Sequence, residues 1–253
     1  MLLEDKVHII TGASSGIGAA AARLFAREGA LLVLGARRQH ELGAVTDEIN
    51  QAGGRAVALA GDVTDAGFAA DLVALARSEF GGLDGAFNNA GRMGSGSRLA
   101  ETEPGEWAAV LATNLTAAYL AARAQIPALE ERGGGSLVFT GSFVGYTATL
   151  PGMGPYAASK AGLIGLVQSI AVEYGPAGIR ANALLPGGTM TEMAMDAATN
   201  PETAAFISGL HALKRMARPE EIASAALFLA SGLASFVTGS ALLADGGNSI
   251  CKV

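Results

Sequence analysis

Residues 7–34 read as an apolar run, a glycine-rich turn, a helix and a second apolar run, and that order leaves few folds open. Val7-His8-Ile9-Ile10 leads into Thr11-Gly12-Ala13-Ser14-Ser15-Gly16-Ile17-Gly18. Residues 19–28 are rich in Ala and other good helix formers and stop at Gly29; Leu31-Leu32-Val33-Leu34 then completes a βαβ unit. In such a unit the glycines let the backbone approach a pyrophosphate, while the helix N-terminus offers it unpaired N–H groups and a positive dipole end.

The second strand ends in Gly35-Ala36-Arg37-Arg38. A unit that binds a free ribose 2′-hydroxyl usually carries an Asp or Glu about 20 residues past the glycine turn, whereas Arg accommodates a 2′-phosphate. Ala36 cannot accept a hydrogen bond, so Arg37 and Arg38 point to NADP(H) over NAD(H).

The pattern repeats along the chain. Strands are expected at 55–60, 83–87, 135–140, 179–184 and 241–244, with helices at 41–50, 66–80, 105–131, after Pro155 and at 219–230. Seven strands alternating with helices make a doubly wound, mostly parallel α/β sheet of the Rossmann type in a single domain, 1–253. Strand C-termini line the crevice of such a sheet. Asp62 and Val63, the run Asn88-Asn89-Ala90-Gly91, Ser142, and Pro186, Gly187, Thr189 and Thr191 all follow strands. Asp62 can cap the next turn, face an adenine, or both. Asn114 sits among Val110, Leu111, Leu115 and Tyr119, where a buried amide must find partners. Residues 192–212 are Met-rich, and a substrate lid is expected over 188–212.

Composition narrows the function. The chain has 253 residues, half of them apolar, and a net charge of −6 without any run of Lys and Arg longer than two, which argues against a nucleic-acid partner. His8, His40 and His211 are scattered without metal-ligand spacing, so no metal site is expected. Cys251 stands alone, Glu4-Asp5-Lys6 interrupts any signal-peptide run, and no stretch approaches the ~18 apolar residues of a membrane span. A cytoplasmic protein with no membrane partner is expected.

Tyr156 and Lys160 lie four apart at the start of an apolar helix and so share one face. A neighbouring cation favours the phenolate and draws the phenol's pKa down from its usual value of about 10. Such a pair can exchange a proton with a carbonyl or an alcohol.

Taken together, Thr11-Gly-Ala-Ser-Ser-Gly-Ile-Gly18, Asn88-Asn-Ala-Gly91, Asn114, Ser142, Tyr156-x-x-x-Lys160 and Pro186-Gly187 resemble the short-chain dehydrogenase/reductase family over the whole chain. Arg215-Met-Ala-Arg-Pro-Glu-Glu-Ile222 and Asp245-Gly246-Gly247 are similar to bacterial ketone reductases and 3-oxoacyl-carrier-protein reductases. The resemblance implies that Tyr156 is the acid or base and that Lys160 lowers its pKa and holds the nicotinamide ribose. It further implies that Ser142 binds the substrate oxygen and that Asn114 anchors a water on the proton path. The implied cofactor set is Gly12, Ser14, Ser15, Gly16, Ile17, Gly18, Arg37, Arg38, Asp62, Val63, Asn89, Ala90, Gly91, Tyr156, Lys160, Pro186, Gly187, Thr189 and Thr191. The implied reaction is hydride transfer between NADPH and a ketone or secondary alcohol. A carrier-protein substrate, or a non-catalytic dinucleotide sensor, is the alternative. Thr140-Gly141 replaces the family's frequent apolar-Ser pair, and the Ser142-to-Tyr156 spacing is one residue longer than its commonest form.

Residues 157–172 are apolar nearly all round, and a helix of that kind needs cover on both sides. With the Ala- and Leu-rich stretch 105–131 it predicts a homo-oligomer, a tetramer ahead of a dimer, as the resemblance also suggests.

Overall fold

A computed structural model describes residues 1–192 and 200–251. In these residues seven strands form one parallel sheet in the order β3-β2-β1-β4-β5-β6-β7. They are β1 (Val7–Thr11), β2 (Leu31–Ala36), β3 (Arg55–Ala60), β4 (Gly85–Asn88), β5 (Gly135–Thr140), β6 (Ile179–Pro186) and β7 (Ala241–Ala244). The order reverses between β1 and β4, the switch point at which a crevice opens beyond the strand C-termini.

Alternate side chains of each strand feed two cores, as the two-residue period of a strand dictates. Ile10, Leu32, Leu34, Val138 and Leu184 pack on one face beneath α1 (Gly16–Arg27), α2 (Gln39–Gln51) and a late helix at 219–230. Ile9, Val33, Leu137, Phe139 and Leu185 pack on the other, beneath α3 (Phe68–Phe80) and two helices described next.

The expected helix 105–131 is broken in its middle. An α-helical segment, α4 (Pro104–Leu111), passes through a π-helical turn, Ala112–Thr116, into α5 (Ala117–Glu131). The residue at the centre of that turn is Asn114, whose buried amide is drawn off the helix by partners outside it. α6 (Gly154–Tyr174) carries Tyr156 and Lys160 in its first two turns, with Pro155 at its N-terminus.

After β6 come α7 (Pro201–Gly209) and α8 (Pro219–Ala230). Residues 193–199 of the expected lid (188–212) lie outside the described residues; α7 takes up 201–209, and 188–192 form part of the turn after β6. Strand β4 starts two residues later than expected because Asp84 closes its turn, accepting from the Val7 N–H at 2.9 Å. No helix among the described residues is long and apolar enough to cross a membrane.

Candidate active site

The glycine turn after β1 is shaped for a close approach. Gly12 and Gly16 have φ of +67° and +53°, a region L side chains avoid, and a Cβ on Gly18 would sit 2.2 Å from the Gly12 carbonyl oxygen. The first turn of α1 holds no acid, and Ser15 at its N-cap gives it no side-chain hydrogen bond. Those helix N–H groups stay available to an anion.

The Ser14 and Ser15 hydroxyls instead accept from Nη2 of Arg38, at 3.2 and 2.6 Å. Arg38 thus brings its guanidinium onto the glycine turn, where a phosphate on the ribose of a dinucleotide can be met. Its Nη1 donates to Glu192 at 2.9 Å, and Glu41 stands 4.0 Å away. Arg37 points elsewhere; it is 76% exposed and 4.0 Å from Asp62. Asp62 caps its own turn by accepting from the N–H and hydroxyl of Thr64, which holds its carboxyl below the usual range.

At the ends of β1, β4 and β5 the polar groups are tied to one another. The Thr11 hydroxyl accepts from the N–H groups of Asn89 and Ala90, and Thr140 Oγ1 donates to Asn89 Oδ1 at 3.0 Å. A cavity runs past these strand ends, lined among others by Val63, Ala90, Thr113, Asn114 and Thr140. Gly91 leaves room beside the catalytic candidates, since a Cβ there would lie 3.3 Å from Asn114 Oδ1 and 3.4 Å from Lys160 Nζ. The positive-φ glycines, the acid-free helix start and the Arg38 contact together fit a bound dinucleotide phosphate chain.

Asn114 is fully satisfied. Its Oδ1 accepts from the Arg92 N–H at 2.8 Å, and its Nδ2 donates to the Arg92 carbonyl at 2.9 Å and to Ser159 Oγ at 3.0 Å. Ser159 in turn donates to the Tyr156 carbonyl at 2.7 Å. The side chain of Asn114 therefore spans the loop after β4 and the catalytic helix.

Ser142, Tyr156 and Lys160 meet at the end of β5. Ser142 is buried, its Oγ accepts from the Val144 N–H at 3.1 Å and lies on the Tyr156 hydroxyl's side, and Lys160 Nζ lies 5.6 Å from the centre of the Tyr156 ring. The ammonium donates to the Thr140 carbonyl at 2.6 Å, so the bond is to the backbone rather than to the phenol. Burial pushes the Tyr156 phenol up, with the Ser142 hydroxyl pulling the other way. This reverses the direction expected from the sequence, because desolvation of the buried phenolate dominates. Burial also draws Lys160 down from 10.5 to about 8.

The turn after β6 completes the rim. Gly187 N–H donates to the Ala244 carbonyl at 3.2 Å, Thr189 Oγ1 to the Gly187 carbonyl at 3.1 Å, and Thr191 packs against Gly16. All four proposed catalytic residues converge. Of the proposed cofactor residues, Arg37 alone stands clearly outward.

Sequence reasoning missed Thr140, Ser159, Gln125 and His211. Gln125 forms a reciprocal amide pair with Asn88, at 2.9 and 3.0 Å, and stands in an apolar helix just as Asn114 does, so the same test would have found it.

The family model described as "Enoyl-(Acyl carrier protein) reductase" matches residues 12–249. The chain is 43% identical over 252 residues to an A-factor type gamma-butyrolactone 1′-reductase (1S-forming) of Streptomyces virginiae, covering 98% of this chain and 97% of that protein. It is 38% identical over 252 residues to an L-rhamnose 1-dehydrogenase (NAD(P)(+)) of Azotobacter vinelandii, covering 98% of each. Among solved structures, a short-chain type dehydrogenase/reductase from Mycobacterium marinum superposes with a TM-score of 0.93 at 35% identity, covering 98% of this chain and 97% of that one.

Proposed function

The chain belongs to the short-chain dehydrogenase/reductase family, an NAD(P)-dependent oxidoreductase acting on alcohol or ketone groups, and from that premise we propose that it is an NADPH-preferring ketone reductase with Tyr156 as its acid. The observation that carries the reading is the meeting of Ser142, Tyr156 and Lys160 at one strand end, with Arg38 seated on the glycine turn.

When bound, the dihydronicotinamide supplies the hydride. The protein supplies the rest. A ketone oxygen placed against Ser142 and Tyr156 receives hydrogen bonds that strengthen as alkoxide charge develops. Tyr156 gives up its proton to that oxygen. A phenol whose pKa is raised is protonated at neutral pH, the state a proton donor needs. The Lys160 ammonium beside the ring then faces the phenolate left behind and stabilises it. Asn114 keeps Ser159 and the loop at Arg92 fixed around this pair.

The preference for NADPH follows from Arg38, whose guanidinium can meet a dianionic 2′-phosphate together with the two serine hydroxyls. A homotetramer is the proposed assembly, and a reducing compartment such as the cytoplasm suits a chain with one cysteine. The sheet-facing stripe of α6, Leu163, Val167 and Ile170, is buried, but Ala158, Ala161, Gly165 and Val172 on its far side are uncovered, and Val172 is 80% exposed. Tyr119 on neighbouring α5 is half exposed. Small residues on such a face let a second copy approach closely about a two-fold axis. Light scattering that returned a stable monomer at micromolar protein would contradict the assembly. The reaction is tested by following NADPH oxidation across ketones, keto-esters and quinones; turnover of none of them would contradict the proposed function.

A further inference from the structure

Outside the catalytic set, one buried side chain joins two parts of the site. His211 is 2% exposed and lies just past the end of α7. Its Nδ1 is 2.8 Å from the Ile207 carbonyl, one of the last carbonyls of α7, which otherwise accepts only the longer bond from the Leu210 N–H at 3.3 Å. Its Nε2 accepts from the Gly188 N–H at 2.9 Å, in the turn after β6. A carbonyl requires a proton on Nδ1 and an amide N–H requires a lone pair on Nε2, so the contacts fix a neutral imidazole with Nδ1 protonated.

A second observation is independent of those bonds. A Cβ on Gly187 would come within 2.9 Å of Nε2, and one on Gly188 within 2.9 Å of Cε1. Gly188 therefore leaves the space the ring fills, and Gly187 leaves room for both the ring and the Asp245 backbone, 2.8 Å from its would-be Cβ. The Gly188 carbonyl accepts from the Ala217 N–H at 2.8 Å, so both polar groups of this residue are engaged and the turn has one orientation.

We propose that His211 is a positioning residue that couples α7 to the cofactor-holding turn at residues 186–191, so that loss of its Nε2 acceptor loosens the grip on NADPH. The inference rests on the reading of that turn as part of the cofactor site. With the acceptor gone, the part-buried Gly188 N–H is left unpaired, and the turn relaxes at the expense of the bound geometry. The imidazole never touches the reacting atoms.

The test is NADPH binding to the full-length protein, followed by the fluorescence of the reduced nicotinamide, for the wild type, His211→Phe and His211→Gln. The Phe variant keeps a flat ring and removes both polar contacts. It should bind NADPH about tenfold more weakly and raise KM for NADPH more than it lowers kcat. The Gln variant, whose amide offers an N–H and a carbonyl, should recover most of that affinity, which a merely space-filling role would not require. If the Phe variant does not fold, Gly188→Ala serves in its place, since its methyl must displace the ring; it should weaken binding in the wild type and cost little more in a His211→Ala background. Folded Phe or Gly188→Ala variants that bind NADPH as the wild type does would overturn the proposal, as would a Gln variant no better than Phe. A wild type that binds neither NADPH nor NADH would overturn the cofactor reading itself and the inference with it.

Discussion

Arg38 donates to the Glu192 carboxylate at 2.9 Å while its other terminal nitrogen reaches Ser14 and Ser15. The group that would read a 2′-phosphate is thus shared with an acid, and Glu41 and Asp62 add further negative charge around the two arginines. An incoming dianion must compete with Glu192. Glu192→Gln is therefore expected to tighten NADPH severalfold and leave NADH nearly unchanged, the scale of an exposed ion pair. Arg38→Ala should erase most of the preference, and Arg37→Ala, whose side chain faces outward, should erase less. Dissociation constants for both cofactors in the three variants check this ordering.

Lys160 carries a cost in stability that depends on pH. Its pKa falls from 10.5 in the open chain to about 8 when folded. Below pH 8 both states hold the proton, and the folded state bears the full penalty of a buried ammonium, about 3 kcal/mol. Between about pH 8 and pH 10.5 the unfolded chain binds a proton the folded one has released, so stability contributed by this residue rises with pH. Lys160→Met is expected to be inactive but more stable at pH 7, with the gap to the wild type closing by pH 10. Urea unfolding midpoints of the two proteins at both pH values provide the check.

His8 contributes on the acid side. It is fully buried against Phe25, its Nδ1 has no partner among the described residues, and burial draws its pKa from 6.5 down to about 4. The neutral ring's contribution is present above pH 6.5 and is lost as pH falls from there through about 4, because only the unfolded chain takes up the proton in that interval. His8→Leu should move the acid-unfolding midpoint to lower pH, measured by far-UV circular dichroism.

Asn114 makes three hydrogen bonds from a buried position, two of them to the main-chain N–H and carbonyl of one residue, Arg92. Asn114→Ala leaves the Arg92 N–H and carbonyl without their partner and should cost about 2 kcal/mol or more. Activity should fall further than occupancy of the folded state explains, because Ser159 and the catalytic helix lose a tie. Unfolding curves and kcat on the same preparation separate the two effects.

All seven strands were legible because short continuous apolar runs are bounded by turn residues, and the glycine turn, Asn114, Ser142, Tyr156 and Lys160 stand in an order few other chains share. What the sequence could not reveal depends on contacts between distant residues. The π-helical turn exists because Asn114 finds Arg92, a partner 22 positions away on another element. Arg37 and Arg38 are adjacent in sequence, yet only Arg38 folds back onto the serines. His211 is a scattered histidine in the sequence, and only the fold brings Gly187 and Gly188 against its ring. The direction of the Tyr156 shift differs from the sequence expectation for a related reason: spacing reports the neighbouring cation, whereas burial is a property of the assembled fold.

In the proposed reaction Tyr156 delivers the proton to a ketone reduced at the expense of NADPH. Tyr156→Phe keeps the ring and removes the hydroxyl, so single-turnover oxidation of NADPH, with a ketone the wild type reduces, isolates that role. The account predicts a fall of about a hundredfold or more in the rate, with NADPH affinity within about twofold of the wild type. A Phe variant that retained most of its rate would contradict it and place the proton donor elsewhere.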